Sequence, residues 1–307
     1  MNDIINQLSQ YKHISVSKKN GPPLIPNDYD CPDSVKKTFH LLPKSTIYEW
    51  GLNKITFHYK DEDCDTLFNY MIRMLHIIQP KNKTINAIII LSPATKYYPE
   101  HKIFGQDHVN TGYSTNDKIV IYRKEECFKV FIHECFHFFN YDHALFDSSL
   151  TKPILDIFHI TSEVNLFESW CEIWARTLNC CMASFITGIP LSNLLKREKK
   201  YSVRHMVNVL NHMNLTYEQL FTENNFRENT NVFAYVVLGA ILMHHDFLQD
   251  FIKNKKIPSM FEINEEDKKK YVMFILNHCQ SKSFLDMVHH TENGEPHVTT
   301  TMSIVTF

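Results

Sequence analysis

Hydrophobic and polar residues follow two rhythms along this chain. Residues 46–60 are rich in β-branched and aromatic side chains, which predicts a strand pair or one long strand. Asp61-Glu62-Asp63 then supplies the acidic first turn that a helix dipole favours. Leu67, Met71, Met74, Leu75 and Ile78 recur at helical spacing and stop before Pro80. Ile85 to Leu91 is a continuous apolar run of strand length, the pattern of a central strand covered on both faces. His101 to Ser114 reads as an irregular, partly exposed strand, Asn116-Asp117 as a turn, and Lys118 to Tyr122 as another strand. Lys124 to Phe139 predicts a helix, and almost everything after Thr161 is helical in its periodicity.

That order predicts an α+β fold: a mixed-sheet lobe followed by a mainly helical one. Residues 1–45, polar and carrying five prolines, read as an irregular lead-in. Residues 46–150 form the sheet lobe and residues 151–307 the helical lobe. The tail from Val298 to Phe307 alternates in the manner of a strand and carries no readable chemistry. Two basic runs, Lys196 to Lys200 and Lys268 to Lys270, read as solvated helix faces.

The helix after the last strand carries His133-Glu134-Cys135-Phe136-His137. Imidazoles four residues apart share one helix face, so both can address a single ion. Zinc accepts neutral nitrogen ligands, and a catalytic site keeps one position open for water. Glu134 sits one residue step from that face, where a carboxylate can take a proton from the water. Phe128, Val130, Phe131, Ile132, Cys135, Phe136, Phe138 and Phe139 surround the motif, so the helix is expected to be buried. Burying two histidines and a glutamate without partners costs several kcal/mol, roughly 2–7 per polar group, so something must satisfy them. Core histidines bonded to backbone carbonyls, with Glu134 paired to one of them, are the structural alternative.

A strand, helix, strand, edge strand, strand order leading into an HExxH helix resembles the upper lobe of the zincin metallopeptidases. The likeness covers roughly residues 46–180. It implies one zinc ion per chain, a cleft between the two lobes, and an edge strand that binds a peptide substrate by backbone pairing. That strand is expected within Asp107 to Tyr113. The resemblance also calls for a third protein ligand, and two candidates exist. Glu168 and Glu172 are separated by one helical turn on a later helix. This is similar to the gluzincin arrangement, which implies Glu168 as the ligand and Glu172 as the carboxylate that orients a ligating histidine. A salt-bridged, solvated stripe of Glu168, Glu172 and Arg176 is the alternative for that helix. His143 completes HExxHxxxxxH, the metzincin spacing, with Asn140 where metzincins carry glycine to leave the helix left-handed. No convincing Met-turn accompanies it, and Glu168 is the preferred ligand. Tyr235 is the expected donor to the transition state, with His244 and His245 as the other candidates. Cys135 and Cys171 are expected to face the core as small apolar groups.

Composition narrows the rest. A formal charge of -2 over 307 residues argues against nucleic acid or an acidic membrane as partner. Seven glycines and no phosphate-loop pattern argue against nucleotide chemistry. Eight cysteines without a CxxC pair, behind a start with no basic and apolar leader, predict reduced thiols in a cytoplasmic protein. The expected activity is zinc-dependent peptide hydrolysis of a peptide or protein substrate, with Glu134 as general base. The rivals are a non-catalytic binding or structural protein that keeps the zincin fold, and a helical interaction protein in which the motif is accidental.

Overall fold

A computed structural model describes residues 1–25, 28–253, 255–292 and 301–305. Ile4 and Leu8, one helical turn apart, are fully buried and anchor the first helix, α1 (Asn2–Gln10). This corrects the expectation of an irregular lead-in over residues 1–45. The apolar pair gives α1 a face that packs on later helices, and β1 (Ser17–Asn20) hydrogen-bonds to the sheet although all its side chains are exposed. Backbone pairing, which side-chain patterns do not report, makes that strand. A short helix, α2 (Asp33–Lys36), leads into the hairpin β2 (Lys44–Trp50) and β3 (Asn53–Tyr59), so the first β segment is a pair and not one long strand.

Asp63 caps α3 (Cys64–Ile78) by accepting from the Thr66 amide, as the acidic turn predicts. The apolar run then forms β4 (Asn86–Ile90), parallel to β3. The segment expected to be one irregular strand divides instead into a helical turn, α4 (Gln106–Val109), and a three-residue strand, β5 (Gly112–Ser114). β6 (Ile119–Ile121) pairs parallel with β4 and antiparallel with β5. The six strands run in the order β1-β2-β3-β4-β6-β5, which leaves β5 at an edge. Every residue of β6 is buried, and β4 is buried at Ala87, Ile89 and Ile90.

Next comes α5 (Cys127–Phe138), carrying the histidine motif, then short turns, α6 (Lys152–Leu155), and two long helices, α7 (Leu166–Thr187) and α8 (Leu191–His212). The helical stretch around Tyr235 is not one continuous α-helix. A π-helical stretch, Phe233–Leu238, runs into α9 (Gly239–His244), and α10 (Phe247–Phe251) starts afresh after left-handed Asp246. Helices α11 (Glu265–His278) and α12 (Lys282–Glu292) complete the helical part. Residues 301–305 are not a strand, and the rest of the expected tail strand lies outside the described residues. The fold is α+β with a mixed sheet, as predicted.

One continuous hydrophobic core joins sheet and helices, from Phe57 and Ile89 through Phe131 and Phe136 to Trp170, Trp174 and Leu210. A smaller core of Val35, Phe39, Ile90, Val120 and Tyr122 closes the other sheet face. No described helix is long and apolar enough to cross a membrane. Because Leu8 is buried in the main core, Leu8→Ala should destabilise the protein by about 2–5 kcal/mol in urea unfolding, a typical core truncation. A change below about 0.5 kcal/mol, the usual surface range, would mean that the first helix is not part of the core.

Candidate metal centre

Two buried helices meet through their polar stripes. α5 packs against α7, and each carries ionisable groups on the shared face: Lys129, His133 and His137 on α5, Glu168, Glu172 and Arg176 on α7. The remaining faces of both helices are apolar and inserted in the core. The i, i+4 spacing of each set places its members one turn above another, so the two stripes run alongside one another as a seam.

At one end of the seam three ligand atoms converge. His133 Nε2 and His137 Nε2 are 3.0 Å apart, and each lies 3.2 Å from Glu168 Oε2. Three ligands about 2.0–2.1 Å from one zinc ion in a tetrahedron stand about 3.3 Å from one another. The triangle therefore has the dimensions of a tripodal zinc site. The outer atoms agree with this. His137 Nδ1 is 2.6 Å from Asp142 Oδ2, and His133 Nδ1 is 3.3 Å from Glu172 Oε2, though poorly aligned for a hydrogen bond. With each Nδ1 carrying its proton toward a carboxylate, both Nε2 lone pairs and a carboxylate oxygen face the same point. Such a convergence of acceptors is repulsive unless a cation or extra protons occupy it. The residues present fit a zinc ion.

Glu134 is buried beside this cluster, and burial pushes its carboxyl up from the ordinary range, against the opposing pull of His133 and His137. Ser114 of the edge strand adds a smaller pull in the same downward direction. Tyr235, in the π-helical stretch, sets its ring edge-on to His133 with centroids 5.7 Å apart, and its phenol interacts with Glu168 and Asn231. Asn231 Nδ2 also donates to Glu168 Oε1 at 2.9 Å and so fixes which carboxylate oxygen faces the histidines. A cavity of about 30 Å³, room for one or two waters, is bordered by His133, Glu134, Tyr235 and the start of β5 at Thr111 and Gly112. Gly112 is required there: a Cβ would meet Val120 O at 2.8 Å and Val130 Cγ1 at 3.2 Å. Glycine lets the edge strand lie directly against α5.

The other candidates fall elsewhere. His143 is solvent-exposed on a 3-10 turn and belongs to none of the converging ligand groups among the described residues. Asn140 is left-handed (φ 62°) as expected, but the chain it releases carries Asp142, not His143, to the site. His244 and His245 meet edge to face and both contact the Phe284 ring, and neither belongs to the converging ligand groups among the described residues. Cys135 is an apolar core group as expected, whereas Cys171 corrects the expectation in part, since its Sγ lies 3.5 Å from His137 Nδ1. The alternative of a solvated stripe on α7 is also corrected: Glu172 and Arg176 are each about 1% exposed and pair at 2.9 Å. Lys129 Nζ donates to both Glu172 oxygens at 3.0 Å. Glu172 thus serves His133, Lys129 and Arg176 together, and removing it would take the paired carboxylate from Lys129 and leave Arg176 with Glu198 at 3.8 Å. Among the basic runs, Glu198 and Lys268 are buried, so those faces are solvated only in part.

Asp142 was legible in principle, five residues beyond His137 and just past the helix end. Lys129 was legible in the same way, one helical turn before His133, whereas Asn231 and Ser114 had no signal in the spacing, because each reaches the site through a tertiary contact. A much larger cavity, about 750 Å³, lies between α1, the start of α8 and residues 249–260 and shares no residue with the metal cluster. Size does not identify the chemistry here; converging ligand atoms do.

Electrostatics make the cluster a proton trap when it holds no metal. Burial pulls both imidazoles down, but Glu168 and Glu172 around His133, and Cys171, Glu168 and Asp142 around His137, raise both above the ordinary histidine value. Burial would raise Glu168, yet the charge of His137 and hydrogen bonds from both histidines hold its carboxyl far below the usual range. The folded metal-free chain therefore binds more protons at these histidines than the unfolded chain. Their contribution to stability is full below the ordinary histidine range and is lost as pH rises through the raised values. Zinc must displace those protons, so its affinity should fall as pH drops, by about ten- to a hundredfold per unit for one or two protons. Calorimetric titration in buffers of different ionisation enthalpy counts the protons; binding that is indifferent to pH would contradict this site. Comparison with protein-family models, curated proteins and solved structures gave no match.

Proposed function

We propose that the chain is a zinc-dependent peptidase of the zincin type, gluzincin-like, with one zinc held by His133, His137 and Glu168. The observation that carries this reading is the triangle of Nε2, Nε2 and Oε2 atoms, set beside a buried Glu134 and open to a cavity under an edge strand. When bound, zinc supplies Lewis acidity toward the scissile carbonyl and makes a water acidic enough to attack near neutral pH. The chain's own residues do the remainder. Glu134, its carboxyl raised by burial, is suited to accept the proton of the attacking water and to return it to the leaving amine. Glu134 borders the same small cavity as His133 and Tyr235, which puts its carboxylate within reach of a water there. The unpaired edge of β5 offers backbone donors and acceptors to an extended peptide. Tyr235 stays protonated, its phenol raised by burial and by Glu168, and is placed to donate to a developing oxyanion.

Two substitutions test separate parts of this reading. Glu134→Gln should preserve folding and zinc stoichiometry yet reduce peptide turnover at least about 100-fold, the lower end of what a general base contributes. Near-parent turnover would remove Glu134 from the mechanism, and no turnover by the zinc-loaded parent across a broad peptide library would favour the non-catalytic scaffold. For the ligand set, Glu168→Ala should weaken zinc binding sharply, while His143→Ala binds like the parent. Zinc loss confined to His143→Ala, with circular dichroism unchanged, would reverse the assignment.

A further inference from the structure

Residues 301–305 form a strap across the far end of the helix seam. Glu126, the residue before α5, stands in the left-handed conformation (φ 58°) with its side chain fully buried. Its Oε2 accepts from Lys96 at 2.5 Å, and its Oε1 accepts from the Met302 and Ser303 amides at 2.7 and 2.9 Å. Glu198 Oε2, also fully buried, accepts from the Ser303 hydroxyl at 3.1 Å and the Ile304 amide at 3.0 Å. Asn179 and Tyr201 donate to the carbonyls of Val305 and Thr301. Hydrogen bonds to buried carboxylates are strong, and losing them leaves charges without partners. The strap is therefore a built wall.

The side chain that this wall projects is Met302, 4% exposed, with its sulfur 3.9 Å from Lys129 Nζ. Met302 and Val109 border two separate cavities. One, about 30 Å³, is the polar space shared with Asn110, Thr111, His133 and Glu134. The other, about 10 Å³, is a mainly apolar chamber under Tyr98, Phe104, Val209, Val232 and Val236, with His108 and His205 at its wall. Met302 and Val109 are the two residues that line both, so they stand between the cavities.

We propose that Met302 is a specificity-determining residue: it divides the cleft and restricts the substrate side chain beside the scissile bond to a small one. The inference rests on the peptidase reading. A peptide laid along β5 with its carbonyl at the metal would point the neighbouring side chain into the 30 Å³ space, which ends at Met302. Removing the thioether opens that space into a chamber lined by valines, Phe104 and Tyr98 beside His108 and His205, a mostly apolar and aromatic lining that suits a Leu or Phe side chain.

Two readouts on the full chain separate this inference from the reading beneath it. Metal-free parent and Met302→Ala are first titrated with benzene and followed by NMR. Saturable binding is expected only in the variant, because only there do the cavities merge. The zinc-loaded forms are then compared on peptides differing in one residue next to the scissile bond. Met302→Ala should shift the kcat/KM ratio of Leu or Phe over Ala by at least about tenfold, and Met302→Leu should leave it nearly unchanged. Should Met302→Ala fail to fold, Met302→Val reads the same two quantities with less volume removed. No benzene binding by the folded variant, or an unchanged ratio, overturns the role of Met302. Benzene binding without any peptide cleavage by the parent overturns the peptidase reading, and the subsite with it, while the divided cleft stands.

Discussion

The charged seam between α5 and α7 is the constraint on which the rest of the structure depends. Both helices are sunk in apolar core, yet they face one another through Lys129, His133 and His137 on one side and Glu168, Glu172 and Arg176 on the other. An uncompensated charge in such a place costs several kcal/mol, so every member must find its opposite. Lys129 and Arg176 both reach Glu172, and Lys96 reaches Glu126. Around this pairing the inner atoms of the three candidate ligands, two Nε2 and one Oε2, face one another, an arrangement that calls for a cation or shared protons.

That arrangement explains features that look unrelated. Asp142 and Glu172 take the outer nitrogens of the two histidines, which keeps the inner ones turned to a common point. Asn231 holds the second oxygen of Glu168, and its neighbour Tyr235 lies in a π-helical turn, a geometry that bulges a helix toward its neighbour. The left-handed Glu126 spends backbone strain at the start of α5, and the buried carboxylate it delivers anchors the 301–305 strap. Edge strand, helix seam and strap thus border one small polar cavity from three sides.

The sheet has a simpler logic. Parallel pairing of β3, β4 and β6 buries the apolar runs on both faces, while β1 and β5 take the edges. The short β5 is the edge nearest α5 because Gly112 permits contact with Val130. An open edge beside a convergent ligand set is a geometry that suits an extended peptide, and the peptidase proposal draws on it.

Much of this was legible along the chain, and the boundary has a physical cause. Local periodicity and helix-start signals are properties of neighbouring residues, so the β segment from residue 46 (though not whether it was a pair or one strand), the helix after the acidic turn, the buried central strand and the histidine helix could all be read directly. The i, i+4 spacing placed His133 beside His137, and Glu168 beside Glu172, before any fold was known. What it could not supply was the relation between the two helices. Whether Glu168, Glu172 and Arg176 lie in water or against α5 depends on the rotation of α7, which is set by Trp170, Trp174 and Leu178 in the common core. The same holds for the first helix, whose two buried residues are too few to show a pattern in a polar segment. It holds also for Asn231, Ser114 and Met302, which reach the site from distant positions. Sequence alone determined the local elements and the two ligand pairs; tertiary packing decided which pairs meet, because only packing removes water from one face and leaves charges to find one another.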